Sequence, residues 1–111
     1  MKLIFAIVQD EDSSRLVTSL MKNGFGVTKL ATTGGFLRAG NTTLLVGVDD
    51  DKLRAVMDII EQVCKSRKQV ATAPTSMPGM TGMYSASSYP VEVTVGGATV
   101  FVLSVDQFVK L

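Results

Sequence analysis

The sequence contains no histidine and no tryptophan, and cysteine occurs once, at Cys64. Histidine is the side chain best suited to proton transfer near neutral pH, and it is also the commonest metal ligand. With one cysteine and no histidine, a zinc site would need a shell built of carboxylates alone. The sequence therefore predicts no metal, no resident cofactor and no catalytic residue.

The single cysteine also bears on the cellular compartment. Cys64 cannot form an internal disulfide, and its place in an apolar helical stripe suits a reduced interior. The apolar start, Met1 to Val8, runs into Gln9-Asp10-Glu11-Asp12 without the small residues of a cleavage site. No apolar stretch approaches the roughly 20 residues that cross a bilayer. We therefore expect a cytoplasmic protein that does not enter a membrane.

The sequence also lacks an excess of charge of one sign. Eleven basic residues stand against ten acidic ones, for a net charge of +1. Binding of a nucleic acid polymer or an anionic membrane normally needs a clustered basic surplus, so both partners are disfavoured. Apolar residues make up 46% of the 111 residues, and the mean hydropathy is +0.30. Because a small domain exposes much of its surface, this apolar excess predicts that a single domain over residues 1–111 associates with itself.

The hydrophobic pattern predicts an α+β fold. In the first half we expect a strand over Leu3 to Val8, a helix capped by Asp10 or Asp12 and stopped at Asn23-Gly24, and strands over about Phe25 to Thr32 and Thr42 to Val48. In the second half we expect a helix opened by Asp49-Asp50-Asp51, a short strand over Gln69 to Thr72, and strands over Val91 to Val95 and Ala98 to Leu103 joined by a hairpin at Gly96-Gly97. This order is ferredoxin-like, βαββαβ, with an extra C-terminal hairpin and two long loops at 33–41 and 73–90.

The first long loop has a composition suited to a nucleotide. Between Thr32 and Thr43, glycines let backbone N–H groups approach an anion, hydroxyls and an amide supply neutral donors, and Phe36 offers a flat face to a base. The loop is not a Walker loop, because the Gly-Lys-Ser/Thr ending is missing, and it is not the G-x-G-x-x-G fingerprint. From composition alone, a flexible strand connection in which Phe36 and Leu37 pack on a neighbour is slightly the better interpretation.

Longer stretches of the sequence resemble a known family. They are Val8-Gln9-Asp10, Thr28-Lys29-Leu30-Ala31-Thr32-Thr33-Gly34-Gly35-Phe36-Leu37-Arg38-Ala39-Gly40-Asn41-Thr42-Thr43, Tyr89-Pro90-Val91-Glu92-Val93 and Val95-Gly96-Gly97-Ala98-Thr99-Val100-Phe101-Val102. The sequence closely resembles the PII-like cyclic di-AMP receptor family, and the resemblance spans nearly the whole chain. The long central motif is specific, so the resemblance shifts the balance toward ligand binding.

The resemblance implies homotrimers of PII-like, ferredoxin-like subunits. Each cleft between neighbours would hold one cyclic di-AMP near the bases of two mobile loops, no reaction would be catalysed, and an unidentified downstream protein would respond to the bound state. Side-chain hydrogen bonds are expected from Thr28 and Asn41, backbone groups from Gly35, Phe36 and Gly47, and apolar contact with the adenines from Phe36, Leu37 and Phe101. The full expected set of ligand-binding residues is Gly26, Thr28, Gly34, Gly35, Phe36, Leu37, Arg38, Asn41, Gly47 and Phe101.

One position departs from the family pattern. Members commonly carry an arginine after the second-strand phenylalanine, whereas Phe25 is followed here by Gly26. Loss of a charge-assisted contact costs about 1.5 to 3 kcal/mol, which weakens binding by about tenfold or more. Lys29 or Arg38 is a possible substitute for the missing cation.

Other functions remain open at the level of the sequence. One is a PII-like binder of a different nucleotide, and another is an acylphosphatase-like hydrolase, which shares the order of elements. The acidic stretch Gln9-Asp10-Glu11-Asp12 argues against the hydrolase, because the loop after the first strand should there hold phosphate. An RNA-binding sheet is a third possibility, but the strand Thr43-Leu44-Leu45-Val46-Gly47 supplies neither an aromatic nor a basic side chain.

Overall fold

The computed structural model describes residues 1–30, 40–74 and 88–111. Along the chain these residues form β1 (Lys2–Gln9), α1 (Asp10–Lys22), β2 (Thr28–Leu30), β3 (Asn41–Val48), a 3₁₀ turn (Asp50–Lys52), α2 (Leu53–Cys64), β4 (Arg67–Pro74), β5 (Ser88–Val95) and β6 (Ala98–Ser104). Among the described residues, no helix is both long and apolar enough to span a membrane.

The described strands form two antiparallel sheets. A four-stranded sheet has the order β2-β3-β1-β6, and β4 pairs with β5 in a two-stranded sheet. The expected α+β class, with an antiparallel sheet and two helices, is therefore confirmed, and it is consistent with a small ferredoxin-like fold.

The apolar core lies on one face of the four-stranded sheet. Alternate residues of β1, namely Ile4, Ala6 and Val8, are at most 1% exposed, as the two-residue period of a strand requires. Both helices contribute to the same core through residues spaced four apart, which share one helical face. These buried helical residues are Leu16 and Leu20 in α1 and Val56, Ile60 and Cys64 in α2.

The acidic clusters lie at the starts of helical turns, but neither Asp10 nor Asp12 is the expected cap. α1 begins at Asp10, its N-cap is Gln9, and the cap forms no side-chain hydrogen bond. Asp10 instead accepts a hydrogen bond from Thr42 Oγ1, and the buried Asp12 accepts one from Arg15 Nη2 at 2.7 Å. The carboxylate of Asp10 therefore bonds to Thr42 of β3 and not to the first amides of the helix. The charge of the buried Asp12 is paired with Arg15, as burial requires. The cluster at Asp49 opens a 3₁₀ turn before α2 begins.

The expected hairpin at Gly96-Gly97 is wrong. β5 pairs with β4, whereas β6 pairs with β1 in the other sheet, so the two glycines connect different sheets. Their φ angles of 80° and 91° are those that a hairpin turn also uses, which is why the dipeptide signal misleads. The extra strand pair is consequently β4 with β5, which precedes the last strand instead of ending the chain.

Several boundaries also differ from expectation. β2 is described only over Thr28–Leu30. β4 ends at Pro74 and β5 begins at Ser88, so both strands include residues of the expected second loop, 73–90. Backbone contacts divide the chain into two compact units, Met1–Lys65 with Gly96–Leu111, and Ser66–Val95. A single domain over residues 1–111 stays a prediction.

Candidate functional site

Both described helices pack on one face of the four-stranded sheet, which leaves the other face, called here the open face, without a helical cover. The open face is largely apolar, and two of its residues, Phe101 and Leu103, are 55% and 47% exposed. Its apolar members are Leu3, Phe5 and Ile7 in β1, Leu30 in β2, Leu45 in β3, and Phe101 and Leu103 in β6. An apolar sheet face of this kind is typical of an interaction surface.

One cross-strand row on the open face contains two of the expected ligand-binding residues. Phe5 pairs with Leu45 on one side and with Phe101 on the other, and Leu45 pairs with Thr28. Directly opposite residues of antiparallel strands point to the same face, so Thr28, Leu45, Phe5 and Phe101 follow one another across the sheet. At about 4.8 Å per strand, Thr28 and Phe101 are about 14 Å apart.

Two further expected residues, Asn41 and Gly47, lie at opposite ends of β3 on the same open face. A strand rises about 3.4 Å per residue, which places them about 20 Å apart. The structure therefore brings Thr28, Asn41, Gly47 and Phe101 to one face but spreads them over its length and width. Hydrogen bonds are about 3 Å long, so a compact ligand on one chain does not reach all four.

Gly26 precedes β2 and is exposed, and a Cβ atom built on it would meet no atom within 4 Å. Neither Gly26 nor Gly47 has the positive φ that favours glycine. A larger side chain at position 26 would therefore fit without steric conflict. Lys29, considered above as a substitute cation, pairs with the buried Leu44 and so belongs to the helix-covered face, not to the face of Thr28.

The other expected ligand-binding residues belong to the glycine-rich loop. Gly34, Gly35, Phe36, Leu37 and Arg38 lie outside the described residues. Their roles stay predictions.

Polar contacts hold the chain on both sides of Asn41. The Asp10 backbone N–H donates to Gly40 O at 2.8 Å, and Thr42 Oγ1 donates to Asp10 Oδ1. Gln9 is the direct strand partner of Asn41. These contacts fix the position at which the chain enters β3.

A pocket of about 360 Å³ opens beside Asn41, at the end of the open face where β3 begins. Its described lining combines two carboxamide side chains with backbone and small side chains, and none of these described residues is charged. The lining residues are Ile7, Gln9, Asn41, Gly96, Gly97, Ala98 and Thr99. Neutral donors and acceptors beside an apolar side chain suit an uncharged polar group such as a nucleobase.

A family model matches the resemblance seen in the sequence motifs. The model for the cyclic-di-AMP receptor matches residues 1–111, the whole chain. The chain belongs to the cyclic-di-AMP receptor family. This match confirms the resemblance inferred from the sequence motifs. The family is one of receptors and not of enzymes.

A solved structure supports the same relationship. The crystal structure of a functionally unknown protein from Pediococcus pentosaceus ATCC 25745 is 39% identical, with a TM-score of 0.79. The match covers 99% of this chain and 96% of that chain. This receptor-family chain is thus similar to that protein over nearly its full length.

Sequence reasoning assigned no binding role to three residues near Asn41. Gln9, Asp10 and Thr42 meet beside Asn41, although β1 and β3 are far apart in sequence. Val8-Gln9-Asp10 and Asn41-Thr42-Thr43 both belong to the motifs that carry the family resemblance. That shared membership was the only available signal, and strand register was needed to pair the two motifs.

Proposed function

We propose that this chain binds cyclic di-AMP in clefts between the subunits of a homotrimer and acts as a cytoplasmic signalling receptor. The single observation that carries this proposal is the spread of Thr28, Asn41, Gly47 and Phe101 over one open face. Family membership supports the choice of ligand. The arrangement in a trimer is our own inference from the geometry and the resemblance.

The separation of the candidate residues favours a site made by two chains. Asn41 and Gly47 are about 20 Å apart along one strand, so the two ends of the strand would contact ligands in different clefts of the assembly. If the Asn41 end of one subunit meets the Thr28 end of the next, one ligand contacts both. The two contributing surfaces are then different patches of the same chain.

Different patches that meet head to tail give either a closed ring or an open fibre. A ring of three copies has three equivalent clefts and therefore one cyclic di-AMP per chain. The apolar open face supplies the driving force, because residues such as Phe101 and Leu103 lose their exposure when a second copy covers them. A homotrimer thus accounts for both the apolar surface and the divided site.

The proposed readout involves the two long loops at 33–41 and 73–90. One leads into β3 at Asn41, and the other lies between β4 and β5. Ligand bound beside Asn41 would favour one arrangement of the adjoining loop, which changes the surface offered to a downstream protein. No reaction is part of this proposal, because signalling needs only the difference between bound and free states.

Calorimetric titration of the purified full chain tests this function, together with its mass in solution. We expect about one cyclic di-AMP per chain, a trimeric mass, and much weaker binding of cyclic di-GMP and ATP. The affinity is expected near the micromolar range, about −8 kcal/mol. A folded trimer that binds another nucleotide in preference would contradict the ligand assignment, and a monomer that binds one ligand would contradict the shared cleft.

A further inference from the structure

Gln9 lines the pocket beside Asn41. It is the last residue of β1, it is half-buried, and it alternates onto the open face with Ile7. Its direct partner across the strands is Asn41, which lines the same pocket. Two carboxamides therefore stand side by side at one end of the open face.

The orientation of the Gln9 carboxamide is fixed by a backbone group. Gly96 N–H donates to Gln9 Oε1 at 2.8 Å, and because an N–H only donates, the accepting atom is the oxygen. The Nε2 group is then at the free end of the amide. Within the described ranges of the chain, no group accepts a hydrogen bond from it. One lone pair of Oε1 also remains available.

The pocket is better suited to a base than to a phosphate. Phosphate is usually held by cationic side chains or by free backbone N–H groups, and the described residues that line this pocket include no charged one. Glycine amides are present, but both are already used. Gly96 N–H donates to Gln9, and Gly97 N–H donates to the carbonyl oxygen of Cys64. The Gln9 amide still offers a neutral donor and a neutral acceptor in one plane.

We propose that Gln9 is a specificity-determining residue that recognises one adenine of the bound nucleotide. Its Nε2 donates to a ring nitrogen of the base, and the second lone pair of Oε1 accepts from the exocyclic amino group. A glutamine carboxamide matches the adjacent donor and acceptor of adenine in this way. Guanine presents an oxygen in place of that amino group, and this oxygen would face Oε1 unfavourably. The inference rests on the proposed binding of cyclic di-AMP.

The substitution Gln9→Glu separates recognition from folding. Glutamate has the same length and keeps an oxygen for Gly96 N–H, but it loses the Nε2 donor with which the proposal recognises adenine. We expect the Kd for cyclic di-AMP to rise about tenfold or more, and the ratio of the Kd values for cyclic di-GMP and cyclic di-AMP to fall. Gln62→Glu, the same change at an exposed position of α2, should alter neither value.

Two outcomes overturn the inference while the proposed function stands. One is wild-type protein that binds cyclic di-AMP while Gln9→Glu behaves as Gln62→Glu. The other is equal weakening for both dinucleotides, which a purely structural role explains. If wild-type protein binds no cyclic di-AMP, the proposed function fails and the inference fails with it.

A measurement on the unmodified chain avoids any effect of substitution on folding. In the NMR spectrum, the side-chain amide signals of Gln9 should shift on addition of cyclic di-AMP, while those of Gln62 stay in place. The Gln9 signals should shift less with cyclic di-GMP. Gln9 signals that stay unchanged at saturation with cyclic di-AMP would also overturn the inference.

Discussion

Thr28 and Phe101 lie at the two ends of one row across the open face, with Leu45 and Phe5 between them. They belong to β2 and β6, which are the two edge strands of the four-stranded sheet. In the proposed trimer each would meet a neighbouring copy, and their separation of about 14 Å keeps them from sharing one contact within the chain. This relationship makes the division of the site between subunits testable.

Mixing two defective variants tests the divided site. Thr28→Val and Asn41→Ala should each weaken cyclic di-AMP binding by about fivefold to tenfold, since each loses one hydrogen bond to a ligand. If the two residues serve one cleft from different chains, trimers reassembled from an equal mixture contain intact clefts. By chance about one cleft in four is intact, and this fraction should bind with wild-type affinity in a titration.

A control for the Thr28 substitution is Thr18→Val, which makes the same change at an exposed position of α1 and should leave the affinity unchanged. If the mixture recovers no tight binding although subunits exchange, Thr28 and Asn41 act from the same chain or not at all.

Phe101 tests whether the open face drives assembly. Phe101→Lys places a charge where a second copy is expected to cover the side chain, and burial of an unpaired charge opposes association. We expect this variant to be monomeric or dimeric by analytical ultracentrifugation. Met21→Lys is the matched control, because Met21 is 62% exposed on α1, away from the open face. An assembly of Phe101→Lys as large as that of the wild type would place the interface elsewhere.

Much of the fold could be predicted because β1, α1, β3 and α2 have regular apolar periods over eight or more residues. The sheet partner of β5 could not. A Gly-Gly dipeptide specifies a sharp change of direction but not the strand that follows, and here Gln9 and Cys64 take the amides of Gly96 and Gly97. Those partners are distant in sequence, so local pattern does not reveal them.

The site was predictable in a similarly uneven way. Thr28, Asn41, Gly47 and Phe101 were named from the family resemblance, and their presence on one face follows from strand register that the resemblance does not contain. Their distances follow from register as well. Gln9 carries no local signal for binding, because a glutamine at a strand end is usually only a solvated side chain.

Thr42 and Thr43 are neighbouring buried threonines whose substitution should have different effects on stability. Thr42 Oγ1 donates to Asp10, whereas Thr43 Oγ1 has no hydrogen-bond partner in the part of the chain that the structure describes. Thr42→Val should therefore reduce the free energy of unfolding by about 1 to 2 kcal/mol, and Thr43→Val should be neutral or stabilising. Urea unfolding of the two variants measures the difference.

Asp10→Ala completes a double-mutant cycle with Thr42→Val. Each single change breaks the same contact, so the cost of the double variant should be less than the sum by about 1 kcal/mol. Strict additivity would mean that the contact between Asp10 and Thr42 adds nothing to stability.

Asp50 should make a small pH-dependent contribution to stability. Its Oδ1 lies 3.0 Å from the Met1 ammonium group, and this hydrogen bond holds the pKa of Asp50 below its ordinary value. Because the folded pKa is the lower one, the stabilisation is complete above the unfolded pKa of about 3.9 and is lost as the pH falls through the folded pKa. Titration by NMR should give a midpoint that rises when the N-terminus is acetylated, and an unchanged midpoint would exclude the contact.

A substitution at Gly26 tests whether the missing cation lowers the affinity for cyclic di-AMP. Position 26 has open space around a Cβ atom and no positive φ, so Gly26→Arg should fold normally. Its guanidinium would reach the phosphates of a ligand bound beside Thr28, and a charge-assisted contact worth about 1.5 kcal/mol or more tightens binding about tenfold. Gly26→Gln, which is long but neutral, should give a much smaller change in calorimetric Kd. If Gly26→Arg binds cyclic di-AMP no better than Gly26→Gln, the phosphates do not approach this end of the open face, and the cation missing from position 26 is not what sets the affinity.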